Sequence, residues 1–394
     1  MNCKICEQKN VSEVINLGSQ PLANKYPKTK NDFKNEKFFP LILTLCNNCL
    51  NVRIKKLVDR KEMFEDYYYL SSINKSLVRH FEDLAKQIKE SDFVLDIGSN
   101  DGILLKPLKE LGVRALGIDP SINVGKIANE SGLETLIGFF SNNVVKKILD
   151  EYGRPDTIVA SSIFTHLEDP KEFAINIKEL IKPEGIFILE VEYLTNFIKN
   201  TQFERFYFDR PFYYSVNSIK ILFESVAMSL IDVEFIDIHG GSIRCYIKST
   251  ENKRCSENVK TIIQNEKKDL NFDQFKTFSI KIKKESEILK MNLENFKKMG
   301  KNVVGYGAPA RVATITNYAK IDKNLIKFIV DDNKLKQERH SPGMHIPIIS
   351  REKMIEENID IIIVFAYEYF EDIRQLTKNL KSIYYKPIPF EKLI

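Results

Sequence analysis

The sequence predicts an α/β protein with two doubly wound sheets preceded by a small cysteine-bearing module. Residues 93 to 190 alternate short apolar runs with helical stretches, the pattern of a parallel sheet covered on both faces. After Gly300 the same succession of strand, glycine turn and helix begins again. Four of the six cysteines fall in the first 49 residues as two C-x-x-C pairs.

A chain of 394 residues exceeds one ordinary core, so two or three domains are expected. Its 59 basic and 54 acidic residues leave a net charge of +5 without a polybasic block, and no nucleic-acid partner is expected. M-N-C-K-I-C at the start has no apolar h-region, and no apolar run approaches the roughly 18 residues of a membrane span. The expectation is a soluble cytoplasmic protein with no membrane partner.

In chain order, residues 1–65 are the cysteine module. Cys3/Cys6 and Cys46/Cys49 each set two thiolates on a tight knuckle, and two knuckles supply the four sulfurs of a tetrahedral zinc site. In an otherwise cysteine-poor cytosolic chain such pairs favour metal over disulfides. Four thiolates leave no position for water, which makes the zinc structural.

Residues 66–250 form the second domain. A tyrosine-rich run, E-D-Y-Y-Y-L-S-S, leads into an amphipathic helix with Leu77, Phe81, Leu84 and Ile88 on one face. The strands are F-V-L-D-I, A-L-G-I-D, T-I-V-A-S and I-F-I-L-E-V, with helices near 103–111, 121–131, 141–151 and 171–181. The first strand runs into the turn D-I-G-S-N-D-G, where Gly98 lets backbone approach a ligand and the next helix offers unpaired N–H groups. Asp119 ends the second strand, where a carboxylate can accept both hydroxyls of a ribose. The turn lacks G-x-G-x-x-G, so a pyrophosphate fits it poorly. His166, in S-S-I-F-T-H-L-E-D-P, stands just past the third strand on the edge where such sheets bind ligands. In I-H-G-G-S-I-R-C-Y-I the paired glycines permit a bend close to a ligand, or else a β-bulge.

Residues 251–299 read as one long amphipathic connector whose stripe of Phe275, Phe278, Ile282, Leu289, Leu293 and Phe296 serves packing. Residues 300–394 repeat the α/β logic in N-V-V-G-Y-G-A-P-A-R-V, K-F-I-V-D-D and D-I-I-I-V-F-A. That turn lacks a third glycine, which suits a degenerate nucleotide-binding sheet that helps to close a cleft.

D-I-G-S-N-D-G resembles the first motif of class I S-adenosylmethionine-dependent methyltransferases, and G-I-D-P at 117–120 resembles their ribose-binding second motif. With the C-x-x-C pairs, the Tyr-rich segment, H-L-E-D-P, H-G-G-S-I-R and G-Y-G-A-P-A-R, the order of motifs over nearly the whole chain resembles the three-domain sugar C-methyltransferases of deoxysugar pathways. The resemblance implies a central methyltransferase sheet, a Rossmann-like C-terminal domain, S-adenosylmethionine as donor and a nucleotide-sugar substrate bearing a keto-deoxysugar. Matching cofactor positions are Asp96, Gly98, Asn100, Asp101, Asp119 and Pro120; matching reaction-site positions are Tyr69, His166, Tyr207, Asp209, Arg210 and His239.

One departure bears on mechanism. Similar enzymes carry Y-H-E-H-x-S-Y-Y-S where this chain has Y-F-D-R-P-F-Y-Y-S from Tyr207 to Ser215, so Arg210 replaces the histidine proposed as base. Arginine stays protonated and takes no proton. The base, worth roughly 10²–10⁴ in rate, is then His166, Asp209 or a tyrosine, or none is needed at carbon. C-methylation through an enolate is expected; O-methylation of a related sugar nucleotide and a homologue that binds sugar nucleotides without turnover are the alternatives.

Overall fold

The computed structural model describes residues 2–59, 75–250 and 254–394, arranged as three sheets. Tyr69 and its neighbouring tyrosines lie outside these described residues. The first sheet takes β1 (Val11–Pro21), β2 (Phe38–Cys46) and β3 (Val52–Ile54), all antiparallel neighbours. The central sheet contains β4 (Phe93–Ile97), β5 (Arg114–Asp119), β6 (Thr135–Ile137), β7 (Thr157–Ser161) and β8 (Ile186–Glu192). The chain then leaves it for β9 (Phe212–Tyr213), which pairs with β3 and so joins the first sheet, and returns for β10 (Ser229–Ile236) and β11 (Ser242–Lys248). The order is β10-β11-β8-β7-β4-β5-β6, with β11 antiparallel to both its neighbours and the other pairs parallel. The strand order reverses at β4, which puts the switch point between the ends of β4 and β7.

Alternation along the central strands explains both its core and its chemistry. Phe93, Leu95 and Ile97 of β4, with Phe187, Leu189 and Val191 of β8, face a core shared with helix Pro170–Leu180. Val94, Val159 and Ile188 face the other way, against Leu77, Phe81 and Leu84 of helix Lys75–Gln87, on the face read from the sequence. On this second face the next positions along each strand are Asp96, Ser161, Glu190 and Glu192, and Arg244 lies directly opposite Glu190 across the β8–β11 pairing. The face is thus apolar in its lower half and charged at its C-terminal edge.

The third sheet contains β12 (Val303–Tyr306), β13 (Ile329–Val330), β14 (Ile348–Ile349), β15 (Ile361–Val364), β16 (Ile383–Lys386) and β17 (Glu391–Leu393), in the order β14-β13-β12-β15-β16-β17. All its pairs are parallel except the last. The region before it is two helices, Glu257–Asp269 and Phe272–Lys298, rather than one connector. Asn271 breaks it: its side chain takes the N–H of Gln274 at 3.1 Å and starts the second helix as an N-cap. The stripe does pack, and tightly. Phe275, Phe278, Ile282, Leu289 and Leu293 are buried in one core with Leu43 and Leu45 of the first sheet and Ile315 and Ile329 beside the third; Phe296 is half-buried at its edge. Among the described residues no helix is long and apolar enough to cross a membrane.

Candidate metal, cofactor and reaction sites

The two cysteine knuckles have the same local geometry. Glu7 N–H donates to the Cys3 carbonyl at 3.0 Å, and Leu50 N–H to the Cys46 carbonyl at 2.8 Å. Each follows its second cysteine at positive φ, 60° and 63°, which turns the chain back on itself. The four sulfurs lie within 4.8 Å of one another, with Cys3 and Cys49 Sγ 3.6 Å apart and Cys6 and Cys46 Sγ 3.5 Å apart. Sulfurs bound about 2.3 Å from one tetrahedral ion stand roughly 3.8 Å apart, so the set fits zinc. No open position remains, in keeping with a structural ion.

At the end of β4, Gly98 has φ +82°, and a Cβ there would come within 2.3 Å of Ile163. Asn100, also at positive φ, donates its N–H to Asp119 Oδ2 at 2.9 Å, while Asp119 Oδ1 takes the Ser121 N–H at 2.8 Å. A carboxylate offers about four lone-pair sites, so two backbone bonds leave capacity for the two hydroxyls of a ribose. Asp101 lies half-buried in the same turn, and Pro120 is exposed directly after β5. Asp96 is buried; that burial, and then the charges of Asp119 and Glu190, push its carboxyl up to about 8. Carboxylates and acceptors grouped in this way could meet the ribose and the positive charge of a sulfonium nucleoside.

Glu190 accepts from His80 Nε2 at 2.9 Å, Ser161 Oγ at 2.7 Å and Arg244 Nε at 2.7 Å. Burial alone would raise its carboxyl, but His80 and Arg244 hold it below the ordinary range. Two residues on, Glu192 pairs with both Arg210 and Arg205, the latter at 2.9 Å. Against the cost of burial, Arg210 and then Arg205 bring Glu192 down to about 2. Neither glutamate can act as a base while so held.

The sequence-derived reaction-site residues fall into two adjoining groups. His166 lies in a short 3-10 turn after β7, and its Nδ1 is 2.6 Å from the Asp209 carbonyl oxygen. Only a donor can meet a carbonyl, so Nδ1 carries the proton and a neutral ring has its lone pair on Nε2. The adjacent Asp169-Pro170 of H-L-E-D-P is a helix start: Asp169 accepts the N–H groups of Lys171 and Glu172, both at 3.0 Å. The Asp209 carboxylate takes the Asn24 side-chain amide and is raised by burial. In the second group Arg210 sits 4.9 Å over the Tyr207 ring, and the buried Tyr207 phenol is raised by desolvation.

His239, at φ 50°, belongs with Arg210 as well. Burial lowers its imidazole pKa; the charges acting on it include Glu192, Arg210 and Arg205. The two glycines after it form the turn between β10 and β11, not a bulge; an arginine approaches Gly240 and the Asn196 side-chain amide approaches Gly241. A Cβ on Gly240 would stand 2.2 Å from Arg205, whose NH1 donates to the His239 carbonyl at 2.7 Å. The sequence reading passed over Glu190, Glu192, Arg205 and Glu368, which has no motif around it. The two acids in I-F-I-L-E-V-E, at an interval that puts both on one face of a buried strand, were the available signal.

Comparison with known families agrees with this layout. A zinc binding domain model matches residues 3–64, a methyltransferase domain model 69–226, and a C-methyltransferase C-terminal domain model 237–386. The C-methyltransferase NovU of Streptomyces niveus is 27% identical over 94% of this chain and 90% of its own. A ubiquinone biosynthesis O-methyltransferase of Rhodopseudomonas palustris is 30% identical, over 30% of this chain and 48% of its own. The first match runs through all three sheets, whereas the second covers less than a third of this chain. The chain thus matches, domain by domain, the zinc binding, methyltransferase and C-methyltransferase C-terminal models, and it is an S-adenosylmethionine-dependent methyltransferase.

Proposed function

We propose that the protein methylates a carbon beside the ketone of a keto-deoxysugar carried on a nucleoside diphosphate, with His166 as the base. The observation that carries this reading is the pair of contacts that sort the candidates: Arg210 is tied to Glu192, whereas His166 donates from Nδ1, the tautomer whose basic nitrogen is Nε2. S-adenosylmethionine supplies an electrophilic sulfonium methyl group when bound between the Gly98 turn and Asp119. The Asp209 carbonyl holds the His166 ring in one tautomer. His166 Nε2 removes the proton on the carbon next to the ketone and the electron pair passes to the ketone oxygen; the enolate carbon would then take the cofactor's methyl, the sulfur–methyl bonding pair staying on sulfur as a neutral thioether. Arg210, always charged, would stabilise that developing oxyanion or bind a substrate phosphate.

The test uses wild-type protein, methyl-labelled S-adenosylmethionine and a thymidine-diphosphate keto-deoxysugar. Expected are a carbon-bound methyl by NMR and, without cofactor, deuterium exchange at the carbon beside the ketone. His166→Asn should lose both by roughly 10²–10⁴-fold while cofactor affinity stays unchanged, because the lost contact belongs to the transition state. An O-methyl ether without exchange would replace this reading with hydroxyl methylation. Cofactor binding with no turnover of any keto-sugar nucleotide would leave a binding protein.

A further inference from the structure

The C-terminal ends of β12 and β15, the switch point of the third sheet, are where a sheet of this kind binds a ligand. Here that place receives a side chain from the central domain. Glu368, in the turn after β15, accepts from Arg311 NH1 at 2.7 Å and also from Arg205 NH2. Tyr367 beside it donates its hydroxyl to Glu204 Oε1 at 2.7 Å, and the Arg311 guanidinium lies 4.7 Å over the Tyr367 ring. The contact continues inward. Arg205 NH1 donates to Glu192 Oε1 at 2.9 Å and to the His239 carbonyl at 2.7 Å, and the second oxygen of Glu192 holds Arg210. The Arg205 and Glu192 side chains are each only 5% exposed and Glu368 18%, so water cannot replace these partners cheaply.

We infer that Glu368 is a positioning residue for the reaction site: from the third sheet it fixes the Arg205 fork, and through it both the His239 turn and the Glu192–Arg210 pair. Gly240 records the tightness of the arrangement, since a Cβ there would meet Arg205 first and Glu368 Oε1 next, at 3.3 Å. A carboxylate is required because two guanidinium groups converge on one oxygen. An amide of the same shape offers one acceptor without charge and lets the fork turn.

As far as turnover is concerned, this inference rests on the proposed methylation, so its test has one readout that needs no substrate. Glu368→Gln is compared with Glu357→Gln, which removes an exposed partner of Lys327 in the same domain. In the variant at 368, the imidazole NMR signal of His239, assigned through His239→Gln, should move while those of His340 and His345 stay in place. With the thymidine-diphosphate keto-deoxysugar, kcat should fall about 10–100-fold, as expected of a misplaced group, with KM changed less than about threefold and cofactor affinity unchanged. Glu368→Asp, which keeps the charge, should recover part of the loss. Should Glu368→Gln not fold, the charge-balanced pair Glu368→Gln with Arg311→Met carries the same readouts. An unmoved His239 signal overturns the inference, as does a loss of thermal stability with kcat intact. If the wild type transfers no methyl to the keto-sugar, the proposed function fails, and the His239 signal still decides the position of Arg205.

Discussion

Burial raises the Asp96 carboxyl and the neighbouring Asp119 and Glu190 raise it further, to about 8, so at neutral pH the folded chain holds a proton there. The unfolded chain gives up that proton near pH 4 (roughly 3.9 for a free aspartate). Stability from this group is therefore complete below that pH and is lost as pH rises through about 8. Asp96→Asn should flatten the pH dependence of urea unfolding over that window, where the slope from one group is at most ~1.4 kcal/mol per pH unit. A sulfonium cofactor pulls the other way, because its charge favours the ionised carboxylate. Cofactor affinity should then rise up to about tenfold per pH unit below the Asp96 value and level off above it, with nearly one proton released per binding event near pH 7. Calorimetry in two buffers of different ionisation enthalpy counts that proton. Equal observed heats in the two buffers, or an unchanged count in Asp96→Asn, would remove Asp96 from the cofactor site. Asp96 and Asp119 were legible in the sequence because both sit at strand ends beside a glycine turn. Glu192 and Arg205 were not, since the partners of a buried charge are chosen by tertiary placement and these two come from different elements.

At the scale of elements, periodicity was a good guide wherever one face of a segment is buried. The helix Lys75–Gln87 and strands β4, β5, β7 and β8 lie where their apolar patterns put them. β6 and β9 escaped notice for a physical reason: at three and two residues they have no period to read, and β9 exists only because Val52 and Arg53 lie alongside to pair with it. The β10–β11 turn was recognised as special from its glycines, but the reason lay in side chains far off in sequence, Arg205 against Gly240 and Asn196 against Gly241. Two alanine substitutions separate backbone strain from that contact. Gly18 has φ +74° and no atom near a would-be Cβ, so Gly18→Ala should cost only the left-handed conformation, about 1–2 kcal/mol. Gly240, at φ +78°, adds the collision with Arg205, and Gly240→Ala should cost roughly 1–3 kcal/mol more and depress methyl transfer. Equal losses in chemical denaturation, with activity intact in both, would mean that Arg205 moves aside freely.

Across the whole molecule, the metal knuckle bears on the reaction site through the chain that follows Arg210. Asn51 Nδ2 donates to the Tyr213 carbonyl at 3.0 Å, Ser215 Oγ to the Cys49 carbonyl at 3.2 Å, and Ile54 N–H to the Pro211 carbonyl at 3.0 Å. The second knuckle and β3 thus hold residues 211–215, and these fix where Asp209 and Arg210 stand. Strands β4 and β5, where the cofactor is proposed to bind, share one apolar core with Cys3, Cys46 and Cys49 and pack on the other face against the helix Lys75–Gln87, so apolar packing rather than hydrogen bonds of this kind links them to the knuckles. Metal loss should therefore separate two functions that share one chain. Structural zinc contributes on the order of 10 kcal/mol to folding in small zinc modules, so Cys46→Ser should unravel the first sheet locally rather than shift it. Purified wild type should contain about one zinc per chain by elemental analysis, in keeping with the four-sulfur cluster. In Cys46→Ser, or after chelation, cofactor affinity by calorimetry should stay within about threefold of wild type, while methyl transfer falls at least ~100-fold, because His166 loses the carbonyl that orients it and Arg210 its fixed place. Metal-free protein with full activity would refute the coupling. Loss of cofactor binding in step with methyl transfer would show instead that the cysteine module supports the central sheet as a whole, through the core that Cys3, Cys46 and Cys49 share with Phe212 and Tyr214.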